Sequence, residues 1–269
     1  ETEHPFTINF SRDDVRITTH YHADMVASSL FSVIHEGGHA LYELHTGREL
    51  ARSNLGTGVS MGIHESQSRF YENIIGRSRA FCSIIYPWLK EHFAPRLDHV
   101  TEDDFYRMIN KSEPSLIRTE ADELTYCLHI MVRYELEKRM FDGSLTAHDL
   151  PAEWNRLYKE YLGIDVPDDR QGVLQDSHWA NGNIGYFPSY AIGSAYGAQY
   201  LRQMQKDFDV SAAVATGRLT QINRWLEEKI WKYGCMKDPT PLFESVCGPF
   251  DPTCYTAYLR DKFTEVYGL

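Results

Sequence analysis

Apolar residues recur at helical spacing through most of this chain, but near its start they alternate with polar residues. Phe6, Ile8 and Phe10 follow this alternation, and Val15 and Ile17 resume it after a short polar turn. A period of two is typical of a β-strand, so the segment predicts a hairpin. With helical periodicity elsewhere, the pattern predicts a mainly α-helical fold with one small β-hairpin near the N-terminus.

Helical spacing, together with capping and breaking residues, predicts the helices that follow the hairpin. A buried first helix is expected over about residues 25–42, and a second opens near His64 and ends before Pro87. The run Thr101-Glu102-Asp103-Asp104 resembles a capping box for a helix through residue 110. Further helices are predicted over residues 117–141, 151–161, 190–208, 220–233 and 257–267.

The chain shows no mark of a domain boundary. Residues 1–269 contain no linker-like run of proline, serine or charge, and no internal repeat. The length fits one large domain or two small ones. Because the composition marks no place to divide the chain, we expect a single domain portion across the whole range.

The composition narrows the class of protein. A net charge of −11 disfavours binding to nucleic acid and to anionic membrane surfaces. No run approaches the roughly eighteen apolar residues of a membrane span, and we expect no signal peptide. The five cysteines are odd in number and lack C-x-x-C spacing, which indicates neither a disulfide framework nor a thiolate zinc site. The expected location is therefore the reducing cytoplasm.

One motif within the first predicted helix carries specific chemical information. His35-Glu36-Gly37-Gly38-His39 is an H-E-x-x-H pattern, and positions i and i+4 share a helix face. Both imidazoles can therefore reach one metal ion. Glu36 lies beside that face, where its carboxylate can take a proton from a water that zinc activates. Gly37 and Gly38 each cost a helix interior about 1 kcal/mol, which predicts the close approach of a substrate strand or of a packed helix.

A third ligand is expected downstream, because catalytic zinc sites use three protein ligands and keep one position open. His64-Glu65-Ser66-Gln67 follows a glycine-rich turn and opens a helical segment. Glu65 is the better ligand candidate, since two histidines with one glutamate form a known catalytic zinc set. His64 is then left for hydrogen bonding near the reacting centre, or for a structural role.

Three other polar clusters have no evident role in folding. Asp14, Arg16 and Thr18 alternate on one face of the second strand. Arg118 stands at the predicted start of a helix, where a cation opposes the helix dipole. The segment 172–190 is dense in hydrogen-bond donors and aromatic rings, which suits the lining of a site better than a linker.

Taken together, these motifs resemble those of the carboxypeptidase Taq family of thermostable metallocarboxypeptidases. The five signature motifs of that family match this sequence at Asp14-x-Arg16-x-Thr18, His35-Glu36-x-x-His39, His64-Glu65-Ser66-Gln67, Ile117-Arg118-x-x-Ala121-Asp122 and Gly172-x-x-Gln175-Asp176-x-His178-Trp179. The run Gly185-Tyr186-Phe187-Pro188-Ser189-Tyr190 also looks like the family. Family members are longer, with a helical N-terminal part, so residues 1–269 look like the C-terminal catalytic portion.

The resemblance implies a helical, neurolysin-like zinc-peptidase cleft and usually a homodimer. It also implies one zinc ion per chain, with cobalt as the alternative, held by His35, His39 and Glu65. Glu36 would be the general base and later the proton donor. The implied reaction is stepwise release of C-terminal amino acids, with broad specificity, from peptides that have a free terminal carboxylate.

The resemblance further suggests residues that contact the substrate. Arg118 is our choice for pairing with the terminal carboxylate, because guanidinium and carboxylate match in a two-pronged geometry. Arg16 is the second candidate. His178 and Tyr186 would donate hydrogen bonds to the oxyanion of the tetrahedral intermediate.

The carboxylate that orients a ligand histidine is not evident from the sequence. Many zinc peptidases with this ligand set place an aspartate four residues after the ligand glutamate for this purpose. Here that position is Arg69, so the orienting carboxylate is expected elsewhere, at Asp122 or Glu120.

Two other classes of function stay open at this point. An oligo-endopeptidase would share the metal ligands and the helical cleft, but it would need no arginine aimed at a free carboxylate. Cleavage of C-terminally amidated peptides separates the two classes of peptidase. A non-enzymatic fragment is the other alternative, because the N-terminal part of family members could complete the cleft walls and the core.

Overall fold

The computed structural model describes residues 1–2 and 4–269, and within them the chain is mainly helical with one two-stranded antiparallel sheet. The predicted fold class is confirmed. The helices are α1 (Val26–Leu44), α2 (Met61–Arg69), α3 (Arg79–His92), α4 (Glu102–Ile109), α5 (Tyr126–Phe141), α6 (Leu150–Leu162), α7 (Pro188–Met204), α8 (Val210–Ala215), α9 (Leu219–Lys229), α10 (Pro239–Cys247) and α11 (Thr253–Tyr267). Short 3-10 segments lie at Arg48–Leu50, Arg118–Glu120 and Trp231–Met236, and a π-helical segment lies at Phe70–Ile75.

The hairpin forms where the alternation predicted it, from β1 (Thr7–Ser11) and β2 (Asp14–Ile17). Thr7 pairs with Ile17 across the two strands. The large apolar side chains of β1 and the residue before it are more than two-fifths exposed, whereas Thr7 and Asn9 hydrogen-bond to side chains of α1. The pattern therefore predicted the strand correctly, but its polar face is the one that lies on the helix.

The capping box at the start of α4 is also confirmed. The Thr101 hydroxyl accepts from the Asp104 backbone N–H at 3.1 Å, and Asp104 Oδ2 accepts from the Thr101 backbone N–H at 3.0 Å. These reciprocal bonds satisfy two backbone donors that have no partner inside the helix.

The helix predicted to end before Pro87 is wrong in its extent. The π-helical segment follows α2 directly, and a break before α3 divides the stretch in two. Pro87 then lies inside α3. A proline in a helix interior removes the hydrogen bond to the carbonyl four residues earlier, here Ser83. Both Ser83 and Pro87 are exposed, so that carbonyl can bind water instead.

The helix predicted over residues 117–141 starts later than expected, because α5 begins at Tyr126. The Asp122 carboxylate accepts hydrogen bonds from the backbone N–H and the hydroxyl of Thr125, at 3.0 and 2.7 Å. Bonds of this kind offer the backbone an alternative to the helix. The sequence patterns also did not predict α8 or α10, and α9 ends at Lys229, before residue 233.

Internal contacts divide the chain into two compact units, unit 1 of residues 1–109 and 193–269 and unit 2 of residues 110–192. The single domain portion over residues 1–269 stays a prediction. Unit 1 contains a buried apolar cluster on α3, α4 and α11, formed by Cys82, Tyr86, Leu89, Phe105, Tyr106 and Val266. Unit 2 contains a second cluster, formed mainly by α5 and α6 through Val132, Leu136, Leu145, Trp154, Leu157, Tyr158 and Leu162.

Two further properties bear on the class of protein. Among the described residues, no helix combines the length and the apolar character that crossing a membrane requires. All five cysteines carry free thiols.

Candidate metal centre

Helices α1 and α2 of unit 1 bring three potential metal ligands together. His35 and His39 lie one turn apart on α1, and Glu65 lies on α2. One ligand atom from each residue lies within 4.8 Å of the other two. Glu65 Oε2 is 3.5 Å from His39 Nε2 and 3.9 Å from His35 Nε2. Two imidazole nitrogens and one carboxylate oxygen are a ligand set typical of catalytic zinc sites.

Glu72 orients the first histidine. His35 Nδ1 lies 2.8 Å from Glu72 Oε2, so Nδ1 donates its proton there and a neutral ring would have its lone pair on Nε2, the atom on the side of Glu65. Burial lowers the pKa of His35, but the negative charges of Glu65 and Glu72 outweigh it, and the pKa is raised. Asp122 and Glu120 were the residues expected for this role, and that expectation is wrong. Glu72 follows Glu65 by seven residues and lies in the π-helical segment that continues α2.

Arg69 explains how two carboxylates remain ionised in this buried place. Its Nε donates to Glu65 Oε1 at 3.1 Å, and its Nη1 donates to Glu72 Oε2 at 3.3 Å. Burial raises the pKa of Glu72, but the charge of Arg69 and the hydrogen bond from His35 lower it to about 2. The pKa of Glu65 is likewise well below its usual range, because His35, His39 and Arg69 outweigh the effect of burial. Both groups are therefore anionic at neutral pH.

The second histidine is oriented through a relay of side chains. His39 Nδ1 lies 2.9 Å from His64 Nδ1, and His64 Nε2 lies 2.5 Å from Glu43 Oε1. A proton on each donor gives the order His39 to His64 to Glu43, which again leaves His39 Nε2 unprotonated and directed toward Glu65. Burial lowers the pKa of His39, which also favours its neutral form. His64 thus has the hydrogen-bonding position that its motif suggested, whereas the role of Glu43 was not evident from the sequence.

Helices α1 and α2 approach each other closely at Gly38. A Cβ added to Gly38 would lie 2.6 Å from the backbone oxygen of Gln67 and 2.7 Å from Cα of Ser68, whereas one added to Gly37 would meet nothing within 4 Å. Of the two explanations for the glycine pair, tight helix packing applies to Gly38. Gly193 of α7 allows a similar approach, because its Cβ would lie 2.8 Å from Cβ of Glu65.

We expect Gly38→Ala to lower the free energy of unfolding by about 1–3 kcal/mol, because the added methyl overpacks two backbones. Gly37→Ala is the matched control. It is expected to leave stability unchanged or to raise it by up to about 1 kcal/mol through helix propensity. Urea unfolding of both variants measures the difference. Equal losses in the two variants would contradict the packing role of Gly38.

In unit 2, Arg118 is buried in an ion-pair cluster. Its Nε and Nη2 donate to Asp176, at 3.1 and 2.7 Å to Oδ1, and its Nη1 donates to the Tyr126 hydroxyl at 2.9 Å. Arg133, which the sequence did not suggest, donates from Nε to Asp176 Oδ2 at 2.8 Å. Burial raises the pKa of Asp176, but the two arginines lower it to about 2. Two guanidinium groups thus share one carboxylate, and the three groups carry one net positive charge.

His178 and Tyr186 are close together in the same unit. Their ring centroids are 5.3 Å apart, and His178 Nε2 lies 3.1 Å from the Tyr190 hydroxyl. Arg16 has a different setting, in unit 1. Its side chain is 66% exposed and donates to Asp14 at 2.7 Å. The structure therefore groups the metal-site candidates in unit 1, and Arg118, His178 and Tyr186 in unit 2.

Comparison with known proteins gives consistent matches. The family model described as carboxypeptidase Taq (M32) metallopeptidase matches residues 1–263. Carboxypeptidase 1 of Bacillus subtilis (strain 168) is 44% identical over 99% of this chain and 54% of its own length. Thermostable carboxypeptidase 1 of Thermus thermophilus is 42% identical over 99% of this chain and 52% of its own length. The chain spans about half the length of the curated relatives that it matches.

Solved structures agree with the sequence matches. The M32 carboxypeptidase from Deinococcus radiodurans R1 matches with a TM-score of 0.97 and 40% identity, over 100% of this chain and 55% of that one. A Pyrococcus furiosus carboxypeptidase described as Apo-Mg matches with a TM-score of 0.95 and 42% identity, over 97% of this chain and 53% of that one.

Proposed function

The chain belongs to the carboxypeptidase Taq (M32) family of metallopeptidases, and from this premise we propose that it forms the catalytic metal centre of a metallocarboxypeptidase. The enzyme would hydrolyse the C-terminal bond of peptides and release single amino acids with broad specificity. The observation that carries the proposal is the convergence of His35, His39 and Glu65 within 4.8 Å, with Glu36 adjacent on α1.

We propose one zinc ion per chain, with cobalt as the alternative, at these three residues. The ligand chemistry fits, because hydrogen bonds donated by Nδ1 of both histidines leave the lone pairs of their Nε2 atoms to bind a metal beside an ionised glutamate. A bound divalent metal would act as a Lewis acid that polarises the scissile carbonyl and makes water more acidic.

Glu36 is proposed as the general base. It directly follows the proposed ligand His35 in α1 and is 7% exposed, so its carboxylate is largely shielded from water. Glu36 would accept a proton from the attacking water and then deliver it to the departing amino group, because a single carboxylate can serve both steps in turn.

Arg118 is proposed to bind the terminal carboxylate of the substrate. The cluster of Arg118, Arg133 and Asp176 supports this role through its unbalanced positive charge in a buried setting. A buried net charge is costly unless it is paired, so the cluster favours an anionic ligand. The stacking of Arg118 on the Tyr190 ring, at 4.8 Å, holds the guanidinium plane in place. Arg16 remains the second candidate, although its exposure makes a strong charge pair less favourable.

His178 and Tyr186 are proposed as hydrogen-bond donors to the oxyanion. Their proximity to each other and to Tyr190 supports a shared role in lining a site. A cytoplasmic location and a homodimeric state belong to the same proposal.

The metal dependence gives a direct test. Chelation is expected to abolish the release of C-terminal amino acids, and added zinc or cobalt is expected to restore it. Mass spectrometry of peptides with free C-termini measures the release, for this chain and for a version as long as the relatives. His35→Ala is the control and should stay inactive after metal is added. Release that survives both chelation and this substitution would contradict the proposal, and release by the longer version alone would make this chain a non-enzymatic fragment.

A further inference from the structure

The hairpin reaches the proposed general base through one hydroxyl. Thr7, the first residue of β1, places its Oγ1 2.6 Å from Glu36 Oε2 and 3.0 Å from the Glu36 backbone oxygen. No other described residue makes a hydrogen bond to the Glu36 carboxylate. The contact therefore joins an element with no metal ligand to the residue beside the ligands.

The Thr7 hydroxyl donates its proton in a hydrogen bond to the Glu36 carboxylate and not to the Glu36 backbone oxygen. A hydroxyl has one proton, and an oxygen-to-oxygen distance of about 2.5–2.7 Å is typical of a bond to an ionised acceptor. The longer contact goes to a carbonyl that already accepts a bond within the helix. Oε2 is thereby engaged, and among the described residues Oε1 accepts no hydrogen bond.

We propose that Thr7 is a positioning residue for Glu36, an inference that rests on the proposed function. By holding Oε2, the hydroxyl fixes the rotation of the carboxylate and presents Oε1 as the atom that accepts the proton of the attacking water. A β-branched side chain on a strand has restricted rotation about its first side-chain bond, so the hydroxyl itself is held in direction. Proton transfer depends on this alignment more than substrate binding does.

The hairpin does not depend on Thr7 for its attachment to α1. Asn9 Nδ2 donates to Glu43 Oε2 at 2.7 Å, and Arg12 Nη2 donates to the Leu44 carbonyl at 3.0 Å. Thr7→Val keeps the branched shape and removes the hydroxyl alone. The hairpin should therefore stay in place while the Glu36 carboxylate gains rotational freedom.

The test compares Thr7→Val with Thr7→Ser in the metal-loaded enzyme. Thr7→Val is expected to lower kcat by about 10- to 100-fold with KM nearly unchanged, since a hydrogen bond to a charged group has been lost. Thr7→Ser, which keeps the hydroxyl, should recover most of that loss. Metal content and thermal unfolding midpoint, measured on the same samples, should match the parent in both variants.

Two controls separate positioning from packing. Arg12→Ala removes a hairpin attachment without touching Glu36, so it should lower the unfolding midpoint and leave kcat unchanged. In a Glu36→Gln background, Thr7→Val should cause no further loss, because the group that it positions is already inactive.

The outcomes distinguish this inference from the function on which it rests. If Glu36→Gln is inactive and Thr7→Val keeps full kcat, the positioning role is overturned and the proposed function stands. If Thr7→Val loses metal or stability together with kcat, and Thr7→Ser does not recover it, the role of Thr7 is structural. Full activity in Glu36→Gln would overturn the proposed function itself.

Discussion

Glu36→Gln is expected to lower kcat by about 10²–10⁴-fold while each chain keeps one bound metal. Glutamine keeps the shape of the side chain and its hydrogen bond from Thr7, but its amide oxygen cannot take a proton at neutral pH. The substitution therefore removes the group that accepts the proton and leaves the proposed metal ligands unchanged. Steady-state kinetics and elemental analysis of the same preparation measure the two effects.

The ligand variants are the controls for this prediction. His35→Ala, His39→Ala and Glu65→Ala should each lose metal as well as activity, because two remaining ligands do not hold a catalytic ion tightly. Full metal content in Glu65→Ala would remove Glu65 from the ligand set. Metal loss in Glu36→Gln would show that Glu36 is a ligand and not the base.

Arg118→Ala is expected to lower kcat/KM on peptides with a free C-terminus roughly 30- to 5,000-fold. This change corresponds to a loss of about 2–5 kcal/mol of transition-state stabilisation. Removal of one partner from a buried charge pair leaves the substrate carboxylate without compensation. The fold should survive, because Asp176 keeps its ion pair with Arg133. Rates on matched free-acid and amidated peptides measure the effect, and on amidated peptides the loss should nearly vanish.

Arg118→Lys and the parent enzyme complete this comparison. Lysine keeps the charge but not the two-pronged geometry, so an intermediate loss is expected. An equal loss on both kinds of peptide would make Arg118 structural, and Arg16 would be tested next. A parent enzyme that cleaves amidated peptides as well as free acids would contradict the carboxypeptidase proposal and favour the oligo-endopeptidase alternative.

Local spacing in the sequence was enough to predict the elements that hold the metal-site candidates. Two histidines four residues apart share a helix face whatever the rest of the fold does. The alternation of residues 6–17 and the capping box at Thr101 are equally local, and both correspond to observed elements. The need for a third ligand then indicated Glu65 at the start of the next helical segment, and the structure brings the three side chains together.

The errors arose where contacts distant in sequence decide the local structure. Residues 117–125 have a helical pattern, but Arg118 forms an ion pair with Asp176, and Asp122 accepts hydrogen bonds from Thr125 just before α5 begins. The orienting carboxylate was expected at Asp122 or Glu120, and instead Glu72 takes this place. Many zinc peptidases with this ligand set have that carboxylate four residues after the ligand glutamate, which is position 69 here, whereas in this chain it follows by seven.

The helical class, the hairpin and the pair of histidines on one helix face could be predicted from the sequence, because each depends on spacing within a few residues. Which polar groups meet depends on the folded chain. Thr7 on Glu36, Glu43 at the end of the His64 relay, and the sharing of Asp176 by Arg118 and Arg133 join residues between 21 and 58 positions apart. Their pairing follows from the packing of helices and strands, since buried polar groups must find partners wherever the fold brings them.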